Sequence, residues 1–354
     1  PLARKLGIRL PIIAAPMAGG TSTQELVAAC SGAGVLGSFG FAYTQPAEMR
    51  RHVAWVRERT QAPIGINLFV SPQPDPIPAQ AQRAALEALA PYYTELGLPA
   101  PEPIKPPYAP SLDEQLDAVE EIRPRAFTIH LGLSRSRAER LRDAGVLIGG
   151  SANCLAEAKA LEEAGFDFVI AQGGEAGGHR GSYLRDAYQS LTGTLALTRM
   201  IVRTVKLPVV AAGGIMDGAG VAAVLALGAQ AAQLGTAFIP CPESGAPQIH
   251  KDSLLKATED ETQVTEKISG KPARGLVNRY MREMQGKPVL AFPAQAILTG
   301  KLRQASGKAG KPDFVAMWAG QAAPLSRALP AAELVRKLES ELHEALDALK
   351  GLKP

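Results

Sequence analysis

Eight short runs of almost unbroken apolarity recur along the chain, at residues 11–17, 34–40, 63–70, 126–132, 146–152, 166–173, 207–214 and 231–239. Continuous rather than alternating apolarity marks strands buried on both faces, as in a parallel sheet. Between the runs lie helix-like stretches such as TQELVAACSGA, LAEAKALEEAG and DGAGVAAVLALGA, several of them ending at glycine, the residue that most readily stops a helix. Eight strands alternating with helices predict an α/β chain closed into a (β/α)8 barrel of the TIM type. A doubly wound open sheet is the competing architecture. The count of eight and the lack of GxGxxG after the first run disfavour it.

Two regions break the rhythm and set the expected organisation. Residues 1–239 read as the barrel, carrying a proline-rich insertion over 71–122, and residues 240–354 read as a mostly helical region across the mouth. From 71 to 110 the chain carries 11 of its 28 prolines, which argues against a long helix there. A short Ala/Leu-rich helix is expected at 81–90. A second follows Ser111, which with Glu114 forms a capping-box pattern ahead of Leu112, Leu116, Val119 and Ile122. The insertion follows the third strand, at the end of a barrel where sites form, so pocket wall and stiff packing are both open readings. Near the C-terminus Leu334, Leu338, Leu342, Leu346 and Leu349 recur at helical spacing. They predict a face docked on the barrel in preference to a dimer interface, and monomer and homodimer both stay open.

Composition narrows the partners. Apolar residues at 46% can fill a sizeable core, and a net charge of only +4 with no Lys/Arg block argues against nucleic acid. Cys30, Cys154 and Cys241 are odd in number and far apart, which disfavours a disulfide framework and zinc spacing and suits a reducing cytoplasm. The opening PLARKLGIRLPIIAAPM reads as a first strand rather than a signal peptide. No run approaches the roughly 20 apolar residues needed to span a bilayer, so a soluble cytoplasmic protein is expected.

Ligands of parallel barrels sit at the carboxyl ends of the strands. The sixth run ends in Gln172 and enters GGEAGGHRG, where glycines crowd ahead of His179. Such density permits tight turns and close backbone approach to a ligand, and an adjacent His–Arg pair there is hard to explain as packing alone. His179 is therefore the candidate catalytic residue. The seventh run ends at Gly213 and Gly214, and the eighth holds Gln233, Leu234, Gly235 and Thr236. Glycines at those two strand ends, with a helix N-terminus following, are what a barrel phosphate site requires. The first run ends in Ala15, Pro16 and Met17, which suit the face of a flat ring, although core filling is the plainer role for Met17. Asn67 offers donor and acceptor to a heterocycle's amide edge. His130 points either into the barrel or up at the ring. Tyr108, Lys301 and Gln321 are candidates for the pocket mouth. Trp318 reads as a packing anchor, and His52, His250 and His343 read as solvated.

APMAGG, GINLF, AQGGEAGGHRG, AAGGI, QLGTAF and MWAGQ, in this order, resemble the class I nitronate monooxygenases, formerly 2-nitropropane dioxygenases. The resemblance runs from about residue 11 to 327. It implies an FMN-containing barrel that oxidises alkyl nitronates, typified by propionate 3-nitronate, with O2. Asn67, Gln172, Gly177, Gly178, Gly214 and the run from Gln233 to Thr236 would bind FMN, and His179 would be catalytic. The chain departs from the family pattern at Gly174, usually Ser, and at Ser134, usually Pro, which bears on substrate choice. FMN-dependent enoyl-ACP reductases and flavin NAD(P)H:quinone reductases are the rival enzymes, and a non-catalytic flavin-binding barrel is a third reading. An IMP-dehydrogenase-like reading would need a nucleophilic cysteine after strand six, whereas Cys154 follows strand five.

Overall fold

A computed structural model describes residues 1–69, 77–129 and 134–351. Eight parallel strands close into a barrel: β1 (Ile12–Ala14), β2 (Leu36–Gly40), β3 (Ile64–Asn67), β4 (Ala126–Thr128), β5 (Leu147–Ala152), β6 (Phe168–Gln172), β8 (Val209–Ala212) and β9 (Ala231–Leu234). Each lies inside one of the eight apolar runs. The seam closes where Ala14 of β1 pairs with Leu234 of β9. β7 (Gly178–His179) stands outside the barrel.

Burial explains why the runs are apolar throughout. Inward side chains such as Ile13, Leu36, Phe168, Ile170 and Val210 fill the barrel, and Leu2 and Leu6 of a short N-terminal helix pack against them. The backbone N–H of Leu2 bonds the side chain of Gln230, just before β9, which places that helix at the amino ends of the strands. The site must therefore form at the other end. Outward side chains meet the surrounding helices in two further clusters.

The C-terminal helix, Ala331–Lys350, lies against the helix Gly218–Ala226 on the outside of the barrel. Its leucine stripe divides. Leu334, Leu338 and Leu342 are buried, whereas Leu346 and Leu349 are 37% and 51% exposed, because the helix runs past the end of its partner.

The insertion corrects one expectation. A helix of 17 residues, Ala79–Glu95, replaces the short one expected, with Pro91 inside it. The prolines cluster on either side of this helix. Pro91 itself is exposed, and the Glu87 carbonyl that it leaves without a donor lies on an exposed residue, open to water. Ser111 caps the following helix as expected, accepting from the Glu114 N–H.

The 240–350 region holds an antiparallel pair that the sequence reading missed: β10 (Thr262–Thr265) and β11 (Ala273–Leu276). β11 pairs with β7, setting Ala273 opposite His179 and Arg274 opposite Gly178. Helices between 279 and 308 share a separate core with the insertion, in which Leu89, Tyr92 and Tyr93 meet Ile268, Tyr280, Leu298 and Phe314. The insertion and the C-terminal region thus form one cap over the mouth. Tyr93 donates to the Leu298 carbonyl at 2.6 Å, and Arg279 grips Glu95 through two bonds.

Leu338→Ala is expected to cost about 2–5 kcal/mol, since it empties a fully buried position. Leu349→Ala, at an exposed position of the same stripe, should cost within about 0.5 kcal/mol. Urea unfolding of the two variants checks the pair, and equal losses would contradict the docking.

Candidate active site

The backbone from Gln172 to Arg180 is folded tightly and is held from every side. Gly173 and Gly174 press on the start of the next helix, where an added Cβ would fall 2.1 Å from Thr194 and 2.4 Å from the Leu191 carbonyl. Gly177 passes so close to the 319–320 backbone that a Cβ would lie 2.5 Å from the Ala319 carbonyl carbon. Buried carbonyls need donors, and two arginines supply them. Arg180, fully buried, donates to the carbonyls of Gly173 at 2.7 Å, Ser190 at 3.0 Å and Gln172 at 3.1 Å. Arg274 of β11 donates to the Gly174 carbonyl at 2.9 Å. Burial, and then the neighbouring Arg274, push Arg180 down to about 10.

Side chains complete the clamp. The Gln172 amide donates to the His179 carbonyl at 3.0 Å and accepts from the Gly181 N–H and from Asn153. The Glu175 carboxylate accepts from the Thr194 N–H at 2.6 Å, and its carbonyl accepts from the Gln321 N–H. The loop is rigid by construction.

His179 sits at its end. Its Nε2 lies 2.9 Å from Ser269 Oγ, and Ser269 Oγ lies 3.1 Å from the Lys271 carbonyl. A hydroxyl that donates to that carbonyl is left to accept from Nε2–H, which fixes the imidazole tautomer. Phe69, Phe292 and Trp318 surround the ring at centroid distances of 5.4–5.7 Å. The cap therefore supplies most of what holds this histidine.

One cavity of about 230 Å³ brings the candidates together. His179, Ala15, Pro16, Met17, Asn67 and Gln172 line it, as do Gly177, Gly178, Gly213, Gly214, Gln233, Gly235 and Thr236. Both Asn67 amide hydrogens go to Thr128, at 3.0 Å from its carbonyl and its hydroxyl, so the amide is held at a fixed angle. Gly213 and Gly214 take φ of 121° and 69°, values that only glycine adopts readily. No described residue accepts from the N–H groups of Gly213, Gly214, Gly235 or Thr236. Four such donors at the carboxyl ends of β8 and β9 make an anion cradle.

Several expectations need correction. The helix after β8 gives the cradle nothing, because Glu341 takes the Gly218 N–H and Asp217 takes the Gly220 N–H. Leu234 does not face the cavity, since its side chain is buried in the barrel's outer core. Tyr108 is buried away from the cavity, and Lys301 and Gln321 are exposed outside it. Arg303, two residues beyond Lys301, lines it instead, because positions two apart point to opposite sides of a helix. Gln321 acts through its backbone. The described part of the insertion adds no lining residue and buttresses the cap. Trp318 lines the cavity as well as packing. His130 lies outside the described residues.

His250 reverses its reading altogether. It is 4% exposed, lines the cavity and meets the Trp318 carbonyl through Nε2 at 3.1 Å. Burial pushes its imidazole down to about 4, so the ring is neutral and donates through Nε2–H. Tyr43, Ser269 and Arg303 are further lining residues that the sequence reading did not single out.

A family model described as nitronate monooxygenase matches residues 1–341. A nitronate monooxygenase from Paraburkholderia phytofirmans is 42% identical over 352 residues, covering 98% of this chain and 95% of that protein. One from Pseudomonas aeruginosa is 41% identical, with 96% and 98% covered. Among solved structures, a nitroalkane oxidase from Streptomyces ansochromogenes superposes with a TM-score of 0.91 at 39% identity, over 98% of this chain and 99% of that one. FabK from Thermotoga maritima gives 0.77 at 29% identity, over 99% and 98%.

Two outcomes follow from the geometry. The folded state depresses the His250 pKa from 6.5 to about 4, so the unfolded chain takes up that proton first. The stability tied to neutral His250 is complete above about pH 6.5 and is lost as pH falls toward 4, by about 2–3 kcal/mol at pH 4.5. His250→Gln keeps a donor and removes the titration, so urea unfolding at pH 7 and 4.5 should show a smaller loss in the variant. Equal losses would remove His250 from the account. Gly177→Ala must push the 319–320 backbone aside, and should lower the thermal midpoint by several degrees in a scan.

Proposed function

The chain belongs to the nitronate monooxygenase family and is an oxidoreductase, and from that premise we propose an FMN-dependent oxidation of alkyl nitronates by O2. Propionate 3-nitronate is a representative substrate, and a carbonyl compound with nitrite or nitrate are the products. The observation that carries the proposal is the single cavity that joins His179 to four unpartnered N–H groups at the ends of β8 and β9.

The residues present fit the cofactor. Gly213, Gly214, Gly235 and Thr236 offer free donors to a phosphate. Ala15, Pro16 and Met17 give an apolar wall suited to a flat ring, and Asn67 offers a fixed amide to polar ring edges. Gln172 and the Gly177–Gly178 backbone close the remaining side. Bound FMN would supply the electron acceptance and its transfer to O2, chemistry that no side chain provides.

His179 holds the organic substrate. Its aromatic surround excludes water and strengthens any charge-assisted bond formed there. Ser269 orients the ring through Nε2. Toward a nitronate, already anionic, the ring acts as an imidazolium, whose second N–H donates to the nitronate oxygens. Toward a neutral nitroalkane it acts as the base that takes the α-proton. The weaker likeness to FabK keeps an NAD(P)H-dependent reductase as the alternative. Oxygen uptake with nitronate and without NADH separates the two.

His179→Asn is expected to lower kcat/KM for nitroethane by about 10²–10⁴-fold, the usual contribution of a general base. With preformed ethyl nitronate the loss should be nearer tenfold and should fall mainly on KM. Oxygen-electrode rates on both substrate forms check this. Full turnover of both would leave His179 without a catalytic part.

A further inference from the structure

Buried on the helix Gln248–Leu255, His250 uses only one of its two ring nitrogens within the described protein. Nε2 lies 3.1 Å from the Trp318 carbonyl, an oxygen that can only accept, so Nε2 carries the proton. Nδ1 bonds no described residue. Burial pushes the imidazole down to about 4, with only the Trp318 carbonyl opposing. The ring is therefore neutral, and Nδ1 holds a bare lone pair. Nδ1 is not among the unpartnered atoms that are sealed inside the protein, and the space open to it is the cavity that His250 lines. A ligand that fills the cavity must bring a donor to this nitrogen or leave an acceptor desolvated and unpaired, at a cost in affinity.

The helix of His250 packs against the turn Ala323–Leu325, which packs on the turn Thr236–Phe238 after β9. The chain from Trp318 to Gly320 spans the same flank. Trp318 meets His250 through its carbonyl, and the Gly320 N–H donates to the Thr236 hydroxyl at 2.9 Å. His250 therefore meets the cavity from the β9 side, beside the cradle. FMN presents three kinds of polar group there. Its phosphate, as a dianion, only accepts, so it cannot pair with a bare lone pair. Its ring carries one N–H, which suits the Asn67 oxygen, since both Asn67 amide hydrogens go to Thr128. Asn67 is on β3, with β2 and β1 between it and β9. The donors left for His250 are the hydroxyls of the chain that joins ring to phosphate.

We propose that His250 reads the cofactor's polyol chain: Nδ1 accepts from one of its hydroxyls, so the cavity discriminates FMN from a flavin phosphate whose chain lacks them. This rests on the FMN reading above and adds a side-chain contact between the two ends that the backbone cradle and the strand-end wall receive. Trp318 has a part in it, because its carbonyl fixes which nitrogen is left to accept.

The test is a fluorescence titration of the flavin-free full-length chain with FMN and with a phosphopentyl flavin, of equal chain length but without hydroxyls. The unmutated chain should bind FMN the more tightly. His250→Gln keeps an N–H for the Trp318 carbonyl but takes the acceptor from the Nδ1 position. It should lower the ratio of the two dissociation constants by about 3–10-fold, the usual worth of a neutral hydrogen bond. His250→Asn sets an oxygen near the Nδ1 position and gives up the Trp318 bond, and it should keep most of that ratio, which separates the acceptor from a role in packing. A ratio unchanged in His250→Gln, or lost equally in both variants, overturns the contact while leaving FMN in place. Should the unmutated chain bind neither flavin, the FMN reading fails and the contact falls with it.

Discussion

A buried backbone must have its polar groups paired, and the turn from Gln172 to Arg180 is where that demand is greatest. Its carbonyls face protein rather than water, and its glycines bring it too close to Thr194, Leu191 and Ala319 for any side chain. Two arginine side chains meet the demand, one from the turn itself and one from β11. The guanidinium suits this work because its donors fan out in a plane and its charge persists under burial. Removing Arg180 would take a donor from three carbonyls at once, and removing Arg274 would take the donor of Gly174. Everything that follows, from the direction of His179 to the shape of the cavity floor, depends on that turn holding one conformation.

The cavity divides its chemistry between two bodies. The barrel contributes backbone: free N–H groups at β8 and β9, a glycine-lined edge, and the Ala15–Met17 wall. The cap contributes side chains: Ser269, Trp318, Arg303 and, against the His179 ring, Phe292. Backbone donors at strand ends are set by the fold and suit a constant ligand, whereas cap side chains can vary without disturbing the barrel. The insertion helix Ala79–Glu95 serves this division indirectly, by giving the cap an apolar surface to pack on.

The barrel was legible because double-sided burial writes itself as continuous apolarity, and each of the eight runs contains a strand. The glycine turn and the strand-end glycines were legible for a related reason, since close approach excludes every other residue type. The cap was not. β11 reads ARGL and β10 reads TQVT, too short and too polar to announce strands that exist to meet β7. His250 stands in QIHKDSLL, where His250, Lys251 and Leu254 form the buried side. A face with one apolar residue in three looks solvated until the carbonyls that satisfy its polar groups are known. Lys301 and Arg303 could not be told apart without the helix phase, and the long helix over 79–95 was hidden by the prolines that bracket it.

Ser269, which orients His179, and β11, which pairs with it, lie about ninety residues further along the chain. Such contacts cannot form before the later segment has been made. On a ribosome the chain is made from the N-terminus onward, so all eight barrel strands emerge before Ser269, β11, Phe292 and Trp318 do. For that interval the molecule is a barrel with an unset turn at its mouth. Competence thus arrives as a discrete last event, when the hairpin of β10 and β11 closes on β7, rather than growing in step with the barrel.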